Sequence, residues 1–365
     1  MGTPARVVVL PQEQAPLRVE EITLPDPGPD QVLVKLFSSG VCHSQLHQIH
    51  QPRKTPVVLG HEATGVVLKA GERVSHVKEG ETALVTWVPR NSAKAAGPPA
   101  AATLEVSGGV AQSQNVYTWA DHTLADQQYV VKADPHIQKD VTCVIGCAVI
   151  TGAGAVIHTA KVQPGESVAI FGVGGVGLSA VAAAKKAGAG KIIAVDLDDK
   201  KLEFAKSFGA THCINASNVD PVKAIHELTR HEGEYTFVGT PVSGVDYAFD
   251  CIGIQKTMEQ ILPACRRGHF GARDGGSAVL VGVPTTKLEI NAMDVLLNEK
   301  KFIGSFGGSC TPEVDFPRFL KWHEQGDLDL NALVTARYTI DQINEAVNAL
   351  ENGEISGRAI LVFDD

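Results

Sequence analysis

The sequence predicts an α/β chain in which a doubly wound parallel sheet follows a strand-rich, irregular domain, and three observations support this. The chain has 365 residues, 44% of them hydrophobic and 20% charged, enough apolar material for cores in about two domains of ~100–200 residues. Up to about residue 150, short β-type runs at 6–10, 31–37 and 65–69 are broken by Pro and Gly clusters at 25–29 and 51–56. From about residue 166 the texture becomes strands alternating with helix-length segments, the pattern of a parallel sheet with crossover helices.

Taken in order, the second region offers strands at 167–171, 191–196, 212–215, 246–250 and 277–281. Helical segments at 176–187, 199–208, 221–229, 255–265 and 293–300 sit between or after them. Beyond about residue 305, helix-like segments at 314–325 and 340–352 and a strand at 358–363 complete the first domain. The expected division is therefore 1–150 with 305–365, and 151–304. Between residues 90 and 115 a stretch rich in Ala, Gly, Pro and Ser, with only Lys94 and Glu105 charged, reads as a surface loop, with disorder as the second reading.

Several classes are excluded. A net charge of −9 without a run of Lys and Arg gives no face for a phosphate backbone, so no nucleic-acid partner is expected. Two uncharged stretches, 141–160 and 167–184, approach the ~20 residues of a membrane span, but their glycines read as turns and close packing, so no membrane partner is expected either. Glu13, Glu20 and Glu21 near the start argue against a signal peptide. Seven cysteines without a CxxC pair point to reduced thiols and a cytoplasmic setting.

The first motif with chemistry is Phe171-Gly172-Val173-Gly174-Gly175-Val176-Gly177, a G-x-G-x-x-G between a strand and a helix. Such a turn needs one glycine for its tight bend, one where backbone meets pyrophosphate, and one where helix and strand pack closely. Gly172, Gly174, Gly175, Val176 and Gly177 are thus candidate dinucleotide contacts at a helix N-terminus, whose free N–H groups favour phosphate. Asp196 ends the next strand 19 residues beyond Gly177, where a carboxylate accepts from both ribose hydroxyls and repels a 2′-phosphate. The expected cofactor is NAD. A solvated strand-end acid is the plain reading of Asp196, and an exposed lysine that of Lys201, whose functional reading is a ribose contact.

The second motif is Gly60-His61-Glu62-x2-Gly65-x5-Gly71-x2-Val74, accompanied by Gly40-Val41-Cys42-His43-Ser44-Gln45-Leu46-His47, Cys143-Val144-Ile145-Gly146-Cys147 with Thr151-Gly152, and Gly357-Arg358. Together with the dinucleotide stretch these resemble the zinc-dependent medium-chain alcohol dehydrogenases over nearly the whole chain. The resemblance implies a Rossmann cofactor domain beside a GroES-like catalytic domain. It implies Cys42, His61 and Cys147 as ligands of one catalytic zinc, with Glu62 beside it or entering as a transient ligand. Two thiolates and an imidazole leave the open fourth position a catalytic zinc needs. It also implies Ser44 and His47 as a proton relay, His43 and Arg358 as pyrophosphate contacts, and Thr151 on the cofactor. Trp87 falls where the family lines its substrate pocket, with a core tryptophan the plain reading. Ile252, Val281 and Val283 fall where it flanks the cofactor, with sheet core the plain reading.

Departures from the family are informative. No cysteine lies between Cys42 and Cys143, so the family's four-cysteine structural zinc is not expected. Gln45 stands where many members carry an aspartate on the ligand histidine; an amide oxygen is expected to take that bond with one negative charge less. The implied activity is hydride transfer between an alcohol, apolar or aromatic, and NAD, giving an aldehyde or ketone. A dehydrogenase or dismutase with tightly held NAD(H) and a non-catalytic nucleotide-binding relative are the competing readings. A homodimer or homotetramer is expected.

Overall fold

The computed structural model describes residues 2–12, 15–94, 101–236, 239–268 and 275–363. The chain divides into two compact units, Met1–Ala148 with Thr311–Asp365, and Val149–Cys310.

The first unit is built on two sheets. Its longest strand, Gln31–Val41, alternates buried apolar positions such as Val32, Val34 and Leu36 with half-buried Lys35 and Phe37. It pairs antiparallel with Ala63–Ala70, His122–Asp126 and Arg358–Val362. The tail is thus a structural member of this unit: Ala359 lies opposite Val41 and Val362 opposite Ser38, which sets Arg358 beside the end of the long strand. Leu36, Val67, Val85, Trp119 and Leu361 share one core.

The second sheet joins Thr3–Leu10 to Arg18–Leu24 and Val57–Val58, and extends into the stretch expected to be a loop. Here the structure corrects the sequence reading. Thr103–Val106 and Gly109–Gln112 form an antiparallel hairpin, Val106 opposite Gly109, with Ala102, Leu104 and Ala111 in a core that includes Leu24 and Tyr117. The Leu104/Val106 alternation across a Ser-Gly turn was diluted by its Ala- and Pro-rich flank, whose residues 95–100 lie outside the described residues.

The second unit is a six-stranded sheet, every pairing parallel. Its strands, Ser167–Phe171, Lys191–Asp196, His212–Asn215, Tyr247–Asp250, Ser277–Leu280 and Lys301–Gly304, lie in spatial order 3-2-1-4-5-6. Strand order reverses beside Ser167–Phe171, the switch point where such sheets bind ligands. The sixth strand escaped the sequence reading because Lys301-Phe302-Ile303-Gly304 is short and partly exposed at the sheet edge. No helix among the described residues is long and apolar enough to cross a membrane.

Candidate active site

Local backbone geometry brings the predicted metal ligands together. Cys42 follows the long strand and caps the helix His43–His50 in an extended conformation, and the Gln45 side chain accepts its N–H at 3.0 Å to close a capping box. Gly60 has φ +91°, and an added Cβ would stand 2.5 Å from the Trp119 nitrogen, so only glycine makes the turn that delivers His61 and Glu62. A 3₁₀ turn, Val141–Gly146, presents Cys147.

One donor atom from each of Cys42, His61, Glu62 and Cys147 lies within 4.8 Å of the others. The two sulfurs are 4.0 Å apart, close to the ~3.8 Å that tetrahedral bonds of about 2.3 Å produce. His61 Nε2 and Glu62 Oε2 are buried without a hydrogen-bond partner, as is Ser44 Oγ. Such groups cost about 1–3 kcal/mol each when left unmade, a cost that a bound cation removes for the first two. Donor type, spacing and orphaned atoms all fit zinc.

Charge is managed inside the same pocket. A proton shared with Cys147 holds the Cys42 thiol well below the usual range, and the Arg358 guanidinium and His61 add to this. The same shared proton, with burial, pushes Cys147 up. Burial raises the Glu62 carboxyl despite Arg358. Arg358 donates to Glu62 in a bond between side chains 6% and 0% exposed. Burial works against its charge, but Glu62 and Cys42 outweigh it and keep the guanidinium protonated. Arg358, expected on a pyrophosphate, is here engaged with the metal-ligand cluster.

Trp87 and Gln45 border this cluster through His61. Ser44 and His47 sit one turn apart on the capped helix, both half-buried, and His43 is exposed at its start. The Trp87 ring meets His61 edge to face, centroids 6.3 Å apart, so the indole borders the cluster and is not simple core. Gln45 departs from expectation: its oxygen is committed to Cys42, and its nitrogen faces His61 Nδ1 at 2.5 Å. The Glu62–Arg358 pair and the double use of Gln45 were not found by sequence reasoning.

In the second unit, Gly172 has φ +86° and carries Ile252 against it, since a Cβ there would lie 2.4 Å from the Ile252 side chain. A Cβ on Gly177 would stand 1.9 Å from the Gly172 oxygen, so helix Gly175–Lys186 packs directly on the turn. At Gly174 nothing lies within 4 Å of an added Cβ. Open space at a helix N-terminus is what a pyrophosphate requires. Gly174→Ala is therefore expected to keep its melting temperature yet bind NAD roughly 10-fold or more weakly, the cost of overpacking a site without straining the protein. Calorimetry with thermal unfolding checks both.

Asp196 is half-buried and ties the site together: its Oδ2 accepts Val173 N–H at 2.9 Å, and its Oδ1 accepts Leu197 N–H at 2.7 Å. Oδ1 also accepts the Asp198 N–H at 3.3 Å, so Oδ2, with a single bond, is the oxygen that retains a lone pair for a ribose hydroxyl. Thr151 Oγ1 is buried without a partner, on a helix whose Gly152 lies against Val176. Lys201 is half-buried on the helix Asp199–Phe208. Val281 is 9% exposed, but Ile252 and Val283 are 41% and 55% exposed, so these two are not sheet core and stand open at the strand ends.

Comparison with known proteins identifies the family. A model described as an alcohol dehydrogenase GroES-like domain matches residues 28–135, and one described as a zinc-binding dehydrogenase matches residues 175–325. The chain is 30% identical to an alcohol dehydrogenase class-3 of Cereibacter sphaeroides, over 98% of this chain and 99% of that protein. The chain belongs to the zinc-dependent medium-chain alcohol dehydrogenase family. This dehydrogenase is also 32% identical to an S-(hydroxymethyl)glutathione dehydrogenase of Escherichia coli O1:K1, over 93% of this chain and 94% of that one. Among solved structures, benzyl alcohol dehydrogenase from Acinetobacter calcoaceticus is similar at TM-score 0.85 and 29% identity, covering 99% of this chain and 100% of that one. The fold is thus a Rossmann unit with a GroES-like unit, and the protein is an enzyme of the zinc alcohol dehydrogenase class.

Proposed function

We propose that this dehydrogenase interconverts apolar or aromatic alcohols with their aldehydes or ketones using NAD, with one zinc per chain held by Cys42, His61 and Cys147. The observation that carries this reading is the buried cluster of two sulfurs and an imidazole whose Nε2 has no partner, with the hydroxyl of Ser44, two residues along the chain from Cys42, also buried without one. When bound, zinc supplies Lewis acidity that brings an alcohol's proton loss toward neutral pH.

The chain's own residues do the rest. Ser44 Oγ, free of other bonds, accepts the alcohol proton while passing on its own, because a hydroxyl donates and accepts at once. His47, one turn along the helix and half-buried, relays the proton to solvent. Trp87 supplies an apolar wall next to His61 and keeps water from the reacting carbon. Gly172 to Gly177 seat the pyrophosphate, Thr151 and Lys201 add polar contacts, and Ile252, Val281 and Val283 flank the rings. Arg358 balances Glu62 and the thiolates; His43 is the exposed basic group for phosphate.

Selection of NAD rests on Asp196. Asp196→Ala is expected to narrow the NAD over NADP preference by roughly 10–100-fold, the worth of charge-assisted hydrogen bonds to the ribose. Steady-state rates with both cofactors measure this; an unchanged ratio removes Asp196 from cofactor choice. The absence of cysteine from 43 to 142 supports a single zinc and no structural one. Seven free thiols support a reducing, cytoplasmic setting. Leu296 and Phe306, 70% and 77% exposed on either side of the edge strand Lys301–Gly304, support a homodimer or homotetramer. The substrate assignment is tested by NAD reduction against short aliphatic, long aliphatic, aromatic and secondary alcohols. Aromatic and long aliphatic alcohols should give the higher kcat/KM, and equal rates across the panel would contradict Trp87 as a pocket wall.

A further inference from the structure

We propose that Gln45 couples zinc loading to a tautomer switch of His61 and to the cap of the His43–His50 helix. This rests on the reading that Cys42, His61 and Cys147 hold zinc. A neutral carboxamide has one acceptor oxygen and one donor nitrogen. The Gln45 oxygen takes the Cys42 N–H at 3.0 Å, so its nitrogen is the atom that faces His61 Nδ1, at 2.5 Å. Against that donor Nδ1 presents its lone pair, and the neutral ring therefore carries its proton on Nε2. Nε2 is the ring nitrogen without a hydrogen-bond partner, on a residue of the ligand cluster.

Ligation requires the opposite tautomer. To give its Nε2 lone pair to a metal, the neutral ring must carry its proton on Nδ1, and that N–H then meets an N–H of Gln45. The amide can turn its oxygen to the ring, but its nitrogen then confronts the Cys42 N–H and the cap is lost. An amide oxygen has two lone pairs, but with the oxygen 3.0 Å from Cys42 N it is the nitrogen that reaches Nδ1, so serving both donors requires the amide to shift; Gln45 is 1% exposed, and solvent does not supply another acceptor. A carboxylate at the same reach accepts from both. Gln45 is thus a positioning residue whose amide lowers zinc affinity and sets zinc loading against the helix cap in its present geometry.

The test compares wild type with the isosteric Gln45→Glu. Nitrogen resonances of isotope-labelled histidine report the tautomer, and chelator competition reports zinc affinity. In zinc-stripped wild type His61 should hold its proton on Nε2 and move it to Nδ1 on loading. In Gln45→Glu the proton should sit on Nδ1 before and after loading, with zinc bound about 10–100-fold more tightly, the range for changes in groups that orient ligands. A proton on Nδ1 in stripped wild type, or equal zinc affinities in the two proteins, overturns the proposal. If Gln45→Glu does not fold, the wild-type tautomer alone decides. Failure of both proteins to take up zinc overturns the metal reading itself, and the coupling with it.

Discussion

Cys147→Ser is expected to remain folded and to bind NAD as wild type does, while zinc affinity falls by more than about 100-fold and alcohol oxidation falls below detection. The magnitude follows from position: altering groups that merely orient a ligand costs roughly 10–100-fold, and loss of a ligand costs more. Serine keeps the volume of the buried site but offers a hydroxyl that does not ionise near neutral pH, so one of two anionic ligands is gone. The fold survives because the 3₁₀ turn Val141–Gly146 holds the backbone without help from the Cys147 side chain. The dinucleotide turn lies in the other unit. Metal analysis and nucleotide titration on one sample measure the two effects, and retained turnover removes Cys147 from the ligand set.

Arg358→Met is expected to give the largest loss of stability, about 3–5 kcal/mol, because deleting one partner of a buried ion pair leaves the other uncompensated. Glu62 is fully buried and its carboxyl is already raised by burial, with the Cys42 thiolate adding to the repulsion. Without Arg358 the folded state keeps Glu62 protonated at pH values where the unfolded chain, near pKa ~4.3, has released that proton. The folded state then binds more protons than the unfolded one, so stability falls as pH rises. The urea midpoint of Arg358→Met should therefore drop between about pH 5 and pH 7 more steeply than that of wild type. Adding Glu62→Gln should restore part of the loss and flatten the pH dependence. Equal midpoints for wild type and Arg358→Met would show that the pair has no such role.

These two expectations draw on different levels of information. The grouping of Cys42, His61 and Cys147 was legible through the family resemblance, because each arrives within a stretch that matches the family. The first five of the six parallel strands in chain order were legible as apolar runs between helix-length segments, and Gly177 predicted a close packing of helix on turn that the geometry displays. The hairpin at 103–112 and the edge strand at 301–304 were not, since both are short and only partly buried.

The Glu62–Arg358 pair was illegible for a different reason. Its members are 296 positions apart, and they meet only because the tail strand pairs with Gln31–Val41 in the register that sets Ala359 against Val41. Gly40 belongs to the same arrangement, an added Cβ there standing 2.2 Å from the Glu62 carboxylate. Gln45 shows the converse case. The sequence marked its position, yet which end of the amide faces His61 depends on the helix cap, a contact that no pattern of residue types specifies.

Metal removal decides whether a single zinc on Cys42, His61 and Cys147 carries NAD-linked alcohol oxidation. One preparation is assayed for NAD reduction by an aromatic alcohol before chelation, after chelation, and after stoichiometric zinc is returned. Activity should vanish with loss of about one zinc per chain and return with about one equivalent. Undiminished NAD reduction by metal-free protein would contradict the account.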